Sequence, residues 1–320
     1  MSHLTREQRY TIASMLQNGY NQKEIALVIK KDKSVVSREI RRNADARSGV
    51  YRDDLAHRKY LKRQEYKAKT RTFTPEVEEY VRDKLRLKHS PEQIAGVAKK
   101  NGDKCVSHER IYQFIWQDKR KKGTLYLDLR NRGRRYKKRS VIYDKRGTIP
   151  NRTDISQRPP EVELRERFGD LEIDLIIGKN HKGAILTIND RATGFGKLRK
   201  LDGKDAQQLA TATIDCLMEW KPFLKTITSD NGKEFAAHEL VAKHLNIDFF
   251  FAKPYASWQR GSNENYNRLV RQYIPKKVDF DCIPTDYINF VEYQLNNRPR
   301  KRFKYESPMF MFNQKVAFST

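Results

Sequence analysis

Cysteines and long apolar runs are scarce in this chain of 320 residues. The three cysteines, Cys105, Cys216 and Cys282, are odd in number and widely separated, which excludes a disulfide framework and a paired-cysteine zinc site. No apolar run approaches the roughly 18 residues of a membrane-spanning helix, and the N-terminus lacks the hydrophobic segment of a secretory signal. The sequence therefore predicts a cytoplasmic protein with no membrane partner.

Acidic residues are few relative to basic ones, and the imbalance lies in the first half. The formal net charge is +26. Residues 1–160 contain 41 Lys and Arg against 19 Asp and Glu, a balance of +22, and the remainder balances at +4. The positive charge of residues 1–160 predicts a polyanionic partner, because neutralising phosphates releases counterions and thereby contributes affinity. We expect nucleic acid; a solubilising basic surface, or association with ribosomes, is the alternative.

Three short helical patterns fill residues 1–45. The first covers residues 6–17 with Tyr10 inward, the second begins at Asn21 and buries Val28, and the third begins at Ser34. This order predicts a helix-turn-helix domain whose third helix lies in the major groove of DNA. The outward side chains of that helix are types that contact bases and phosphates: Ser34, Val35, Ser37, Arg38, Arg41 and Arg42. A charged helix in a small bundle, without a DNA-binding role, is the alternative.

Two further stretches continue the basic half. Residues 46–72 contain few apolar side chains and are expected to be a basic linker, or a helix lying along DNA. Residues 73–118 contain another three helical patterns. Their predicted caps are Thr74, Ser90 and Ser107. This segment is predicted to be a second helix-turn-helix domain, with a structural or dimerising bundle as the alternative.

Residues 119–160 form a basic connector. Its charge is densest near the middle, where it lacks the regular helical presentation that base reading uses, so phosphates are its expected partners. The residues predicted to contact DNA there are Arg134, Arg135, Lys137, Lys138 and Arg139.

Residues 161–320 follow a different pattern. Residues 168–178, 184–189 and 195–201 are predicted strands, and a helical stripe over residues 205–220 follows them. Further strands and helices then alternate. This order predicts a mixed α/β domain.

Three acids in this domain stand where folding alone does not require them. Asp174 interrupts the first apolar strand, Asp230 ends a later strand at a turn, and Glu264 begins a helical pattern after a Gly-Ser break. Carboxylates suit Mg²⁺, and two such ions, about 3.5 to 4 Å apart, stabilise both the attacking and the leaving oxygen of a phosphodiester. The acids therefore predict a magnesium site, with Glu172 and Asp190 as rivals for the first ligand.

These acids also carry a family resemblance. A strand Asp, a strand-end Asp-Asn-Gly, thirty-three intervening residues (231 to 263) and a Glu at a helix start resemble the DDE triad of transposases and retroviral integrases. The block from Trp258 to Asn265 is similar to that of the insertion sequence thirty family of bacterial transposases. The resemblance spans nearly the whole chain. It implies that Asp174, Asp230 and Glu264 are the catalytic acids and that they bind Mg²⁺, with Mn²⁺ as a substitute.

The resemblance implies DNA contacts around these acids as well. Arg271, seven residues after Glu264, takes the place of a basic residue that contacts element ends in related enzymes, and Arg260 matches the wider insertion-sequence pattern. Arg268 shares a helix face with Glu264, where an ordinary surface ion pair is the alternative. Further phosphate contacts are expected from Lys276, Lys277 and the basic run over residues 298–302.

One block departs from the family pattern. The first acidic block usually contains Gly-His-Trp-Glu-Gly-Asp, and here Asp170, Leu171 and Ile173 replace its His, Trp and second Gly. The catalytic Asp is retained, so the expected chemistry stands, although the groups that support the site have changed.

The resemblance implies both architecture and activity. The expected fold is multidomain, with all-α helix-turn-helix modules followed by an α/β ribonuclease H-like catalytic core with a mixed sheet. The expected protein is a nucleoid-associated bacterial DNA transposase that binds the terminal inverted repeats of an insertion sequence. It would cut and transfer strands between double-stranded element ends and target DNA, as a homo-oligomer. A catalytically inactive repressor derived from a transposase, and a nuclease without joining activity, are the alternatives.

Overall fold

The computed structural model describes residues 3–66, 73–132 and 149–317, except for Tyr255 and Lys277. The chain divides into two compact units between Arg71 and Thr72, and each unit is described by itself. Some predicted DNA contacts lie outside the described residues: Arg134, Arg135, Lys137, Lys138, Arg139 and Lys277.

The first unit contains the three predicted helices and a fourth. They are α1 (Arg6–Gln17), α2 (Gln22–Val28), α3 (Lys33–Asn43) and α4 (Asp53–Tyr66). Capping boxes begin the first two helices, with Thr5 and Gln8 bonded reciprocally at α1, and Asn21 and Glu24 at α2. The cap of α3 is Asp32, slightly before the predicted start. All four helices contribute to one apolar core.

The expected inward faces of α1 and α2 are partly wrong. Tyr10 and Val28 are exposed, at 64% and 57%. In α1 the buried positions include Arg9 and Ile12, because α4 packs against this helix. The buried charge of Arg9 is compensated by Glu39, whose Oε1 accepts from its Nε at 2.7 Å.

The stretch expected to be a basic linker, or a helix lying along DNA, is helical over much of its described length. It contains α4, and Tyr51 and Ala56 from this stretch are buried in the core of the first unit. The Lys59 ammonium group donates to the carbonyl of Ala44, which caps the end of α3, at 2.7 Å. A few well-placed apolar residues, with a lysine bonded to the preceding helix end, therefore anchor a segment that is basic overall.

The second unit begins with the predicted second trihelical module. Its helices are α5 (Pro75–Arg86), α6 (Pro91–Asn101) and α7 (His108–Arg120), capped by Thr74, Ser90 and Ser107 as predicted. Their core also contains Leu129, so the start of the expected connector folds with this module.

A six-stranded mixed sheet follows. Its strands are β1 (Thr153–Asp154), β2 (Asp170–Ile177), β3 (Ala184–Asp190), β4 (Gly196–Leu201), β5 (Thr226–Ser229) and β6 (Asp248–Phe251). The spatial order is β1-β6-β5-β2-β3-β4. The pairs β2–β3 and β3–β4 are antiparallel, and the pairs β2–β5, β5–β6 and β6–β1 are parallel. This arrangement confirms the predicted α/β core with a mixed sheet, although β1 lies before the expected start at residue 161.

Helices cover both faces of the sheet. They are α8 (Glu161–Leu164), α9 (Ala206–Leu217), α10 (His238–Leu245), α11 (Gly261–Tyr273), α12 (Thr285–Asn297) and α13 (Pro308–Ala317). Residues of α9, α10 and α13 pack into one apolar cluster with Ile173 of β2, whereas α11 and α12 form a second cluster with Ile176. Because side chains alternate along a strand, the even-numbered acids of β2 face α11.

Candidate active site

Two of the predicted catalytic acids are positioned by adjacent parallel strands, because Asp174 lies within β2 and Asp230 directly follows β5. Glu172 of β2 pairs with Thr228 of β5, and continuing this register by two residues places Asp174 beside Asp230. The backbone N–H of Gly232 donates to Asp230 Oδ1 at 3.0 Å and fixes that carboxylate after the strand end. Strand pairing therefore brings together two acids that are far apart in the sequence.

Arg260 lies between these two aspartates. Its Nη1 is 3.7 Å from Asp174 Oδ2, and its Nη2 is 3.5 Å from Asp230 Oδ2. The same Nη1 donates to the carbonyl of Ile173 at 2.9 Å, while its buried Nε has no partner among the described residues. Arg260 was expected to contact DNA, but its side chain is only 12% exposed. In this arrangement it balances the negative charge of both acids.

Glu264 lies apart from the two aspartates in its contacts. It is in the first turn of α11, and its Oε1 accepts from Arg268 Nη2 at 2.7 Å in a half-exposed i,i+4 pair. In the described part of the chain, no group of three or more His, Cys, Asp or Glu is close enough to hold a metal ion. Asp174 and Asp230 share Arg260, and Glu264 pairs with Arg268, which offsets the negative charge of each carboxylate. The structure therefore brings together two of the three predicted acids.

The aspartate pair nevertheless has the chemistry of a cation site. Burial raises the pKa of Asp174 to about 6, the Arg260 guanidinium lowers it, and the charge of Asp230 raises it. Two hard carboxylates thus already share one positive charge, and a divalent cation would relieve their repulsion in the same way. The donor set of this pair therefore fits Mg²⁺.

The rival Glu172 has a structural role. It is fully buried and pairs with Arg191. Its Oε2 accepts the backbone N–H of Asn263 at 2.8 Å, in the first turn of α11, which has no side-chain cap of its own. The Asn263 side chain in turn donates to the carbonyl of Glu172 and accepts from the Thr187 hydroxyl. Glu172 therefore anchors the helix that carries Glu264.

The second rival, Asp190, also supports backbone. It is fully buried at the end of β3 and accepts hydrogen bonds from the backbone N–H groups of Thr193 and Gly169 and from the Thr193 hydroxyl. Burial raises the pKa of this carboxyl to about 6. These contacts turn Asp190 towards the protein interior.

Asn267 is a site residue that the sequence analysis missed. Its Nδ2 donates to Asp174 Oδ2 at 2.9 Å, and the backbone N–H of Leu175 donates to Asp174 Oδ1 at 2.9 Å. These two donors fix the plane of the Asp174 carboxylate. The available signal was helical spacing, because Asn267 lies three residues after Glu264 and therefore on the same face of α11.

Other residues predicted to contact DNA near the acids differ in exposure. Arg268 and Lys276 are exposed. Arg271 donates to the carbonyl of Ile177 at 2.8 Å, and burial lowers its pKa. It therefore joins the end of α11 to the end of β2.

The exposed face of α3 largely follows its prediction. Ser34, Ser37, Arg38, Arg41 and Arg42 are exposed. Val35 instead is half-buried and packs against the core of the first unit. The Arg38 guanidinium donates to the backbone carbonyl and the hydroxyl of Ser34.

Comparison with known proteins gives both a domain match and full-length relatives. A family model described as a helix-turn-helix domain matches residues 1–43. The transposase of insertion sequence element IS4351 from Bacteroides fragilis is 53% identical over 99% of both chains. The transposase of element IS1086 from Cupriavidus metallidurans is 32% identical, over 98% of this chain and 95% of its own.

Two further similarities are more distant. The transposase InsI of element IS30C from Escherichia coli is 30% identical, over all of this chain and 85% of its own. Among solved structures, the catalytic core domain of BIV integrase is 17% identical, with a TM-score of 0.39, over 47% of this chain and 97% of its own.

Among the described helices, none has the length and apolar character needed to cross a membrane.

Proposed function

Since this chain belongs to the family of insertion-sequence transposases, we propose that it acts on the ends of its own element with Asp174, Asp230 and Glu264. The protein is a DNA transposase, and its helix-turn-helix domain indicates DNA as a partner. The finer proposal is that it binds the terminal inverted repeats, cuts strands at the element ends and joins them to target DNA. It would do so as a homo-oligomer on double-stranded DNA.

The observation that supports this proposal best is the convergence of Asp174, within β2, and Asp230, directly after β5, on one guanidinium. A site built to hold two carboxylates around a positive charge suits phosphodiester chemistry. Asn267 of α11 donates to Asp174. Because Glu264 lies on the same helix as Asn267, this contact supports Glu264 as the third catalytic acid.

We propose that Asp174, Asp230 and Glu264 bind Mg²⁺, with Mn²⁺ as a substitute, and that two ions bind. When bound, such ions stabilise charge on the attacking and leaving oxygens of a phosphodiester. The protein's own part is to hold the ligands in place. Asn267 and the Leu175 N–H orient Asp174, and the Gly232 N–H orients Asp230.

The proposed reaction has two steps, of which only the second conserves the number of phosphodiester bonds. In the first step, water breaks one phosphodiester at the element end and leaves a 3′-hydroxyl and a 5′-phosphate. That hydroxyl then attacks a target phosphodiester, so that one bond forms as another breaks and the displaced 3′-oxygen takes up a proton. No covalent bond between protein and DNA is required. The exposed residues of α3 would select the element end before either step.

A cleavage and joining assay tests this function. Protein is incubated with duplexes that carry the element's ends and with target plasmid, in Mg²⁺ or Mn²⁺, and product ends are mapped by sequencing. We expect ends cut at the repeat and joined to the plasmid, and no products from Glu264→Gln. Cutting without joining would identify a nuclease, and binding without cutting would identify a repressor.

A further inference from the structure

A pocket of about 330 Å³ lies beside α11, between α6 and the chain that follows α12. Among the described residues that line it, one is acidic, Glu92, which pairs with Lys301. Four further cations line the same wall: Arg130, Arg298, Arg300 and Arg302. The pocket therefore carries an excess of positive charge.

Three of these arginines donate hydrogen bonds to neutral oxygens. Arg298 donates to the amide oxygens of Gln272, at 2.8 Å, and Gln93, at 3.1 Å. Arg300 donates to a backbone carbonyl, that of Leu295. Arg130 donates to the carbonyl and amide oxygens of Asn265. These contacts orient the guanidinium groups without neutralising their charge.

Burial makes this charge costly. Arg298 is only 3% exposed. Burial lowers its pKa to about 10, and burial together with the charge of Arg298 lowers the pKa of Arg300. Arg298 still remains a cation at neutral pH. Neither Arg298 nor Arg300 forms an ion pair with the described residues. Because buried unpaired cations are strongly unfavourable, a bound anion would offset their desolvation cost and their mutual repulsion.

Two hydroxyl groups in the same wall have no hydrogen-bond partner among the described residues. One is the phenol of Tyr266, which is 2% exposed, and the other is the buried Oγ of Ser262. Buried hydroxyls normally make hydrogen bonds. Guanidinium forks with nearby hydroxyl donors match the oxygens of a phosphate group.

We propose that this pocket binds one backbone phosphate of the DNA strand on which the catalytic acids act. Ser262 and Asn265, which line it, flank Glu264 in the sequence, so a phosphate held there is close to the acid along α11. Arg130 belongs to the chain after the second trihelical module, and Arg302 follows α12. The strand would therefore be held by both parts of the second unit. The inference rests on the proposed function, since it takes DNA as the source of the phosphate.

The test uses the full chain with Arg130→Gln and Arg302→Gln combined, because both side chains are exposed at the pocket. Affinity for a random-sequence duplex is measured without divalent metal over a range of salt concentrations. We expect the log-log salt dependence to flatten by about 0.9 for the lost phosphate contact. The matched control, Lys221→Gln with Lys225→Gln, removes the same charge at exposed positions outside this pocket. A slope no flatter than that of the control overturns the proposal.

A second arm identifies the source of the phosphate. Thermal unfolding is compared in inorganic phosphate and in chloride at equal ionic strength. Phosphate should stabilise the parent more than the double glutamine variant. Stabilisation of the parent combined with an unchanged DNA slope would assign the pocket to a free phosphate compound and overturn the DNA assignment.

Two features keep the result interpretable. Equal melting temperatures in chloride show that the variant folds; if it does not, Arg130→Lys with Arg302→Lys replaces it. That pair should weaken DNA binding several-fold, because an ammonium group lacks the bidentate guanidinium geometry, and parent-like affinity would overturn the proposal. These measurements report binding and stability, whereas the cleavage and joining assay reports the proposed function. A protein that binds DNA through the pocket but fails the cleavage assay would therefore disprove the proposed function and leave the pocket assignment standing.

Discussion

At the scale of single residues, depth within β2 separates two acids that share a face. Glu172 lies where Arg191 and the start of α11 meet it, so both of its oxygens are used within the protein. Asp174, two residues further along, lies at the edge of the site beside Arg260. Side chains at i and i+2 point the same way, and their neighbours then decide which acid supports the fold.

This difference gives opposite expectations for two substitutions. Asp174→Asn should abolish cleavage of end DNA and leave DNA binding nearly unchanged, because it removes a proposed metal ligand. Glu172→Gln should retain cleavage but lower the free energy of unfolding by about 3 kcal/mol, the low end for a broken buried pair. The low end applies because Glu163 still pairs with Arg191. Gel assays measure cleavage and binding, and denaturant titration measures the free energy of unfolding. If Asp174→Asn were active and Glu172→Gln were stable but inactive, the first metal ligand would be Glu172 and not Asp174.

Asn267 allows a test of positioning. Asn267→Ala should lower the cleavage rate roughly 10- to 100-fold, the usual effect of losing a group that orients a metal ligand, without changing the affinity for end DNA. Asn297→Ala is the matched control, because that exposed amide donates to the carbonyl of Tyr293 within α12. Single-turnover cleavage and equilibrium binding measure the effects. Cleavage at the parent's rate would show that Asp174 is oriented without Asn267.

At the scale of elements, α3 is expected to read the element end. Arg38→Ala should weaken binding to the terminal repeat by roughly 1 to 3 kcal/mol if the side chain pairs with a guanine, and should affect random DNA far less. Arg6→Ala, an exposed arginine of α1, controls for loss of charge. Binding is measured with the full chain and with residues 1–71, which form the first compact unit. Equal losses on specific and random DNA would make Arg38 a phosphate contact.

At the scale of the whole molecule, the basic connector is expected to bind DNA without reading it. Neutralising Arg134, Arg135, Lys137, Lys138 and Arg139 together should lower affinity for specific and random duplexes alike. The salt dependence should flatten by roughly 0.9 in log-log slope for each lost phosphate contact. Binding isotherms at several salt concentrations measure this slope. A slope identical to the parent's would show that this run does not touch DNA.

The sequence by itself determined most of the elements and the family to which the spacing of three acids points. Helix caps such as Thr5, Asn21 and Ser90 act within one turn, and the alternation in β2 acts between neighbouring residues. Because these signals depend only on residues that are close together in the sequence, most helices and strands are predicted near their observed bounds. The spacing of Asp174, Asp230 and Glu264 pointed to a family, and full-length relatives showed that family.

Only the tertiary structure decided the roles of the residues around those acids. Arg260 bonds Ile173, 87 positions earlier, and Asn267 bonds Asp174, 93 positions earlier. Arg298 is buried against Gln93 and Gln272 rather than presented on the surface. From the sequence alone, the two arginines are expected at the surface, and Asn267 has no predicted role. Packing decides whether a side chain meets solvent or a buried oxygen, and that packing depends on strand order and helix docking across the whole second unit.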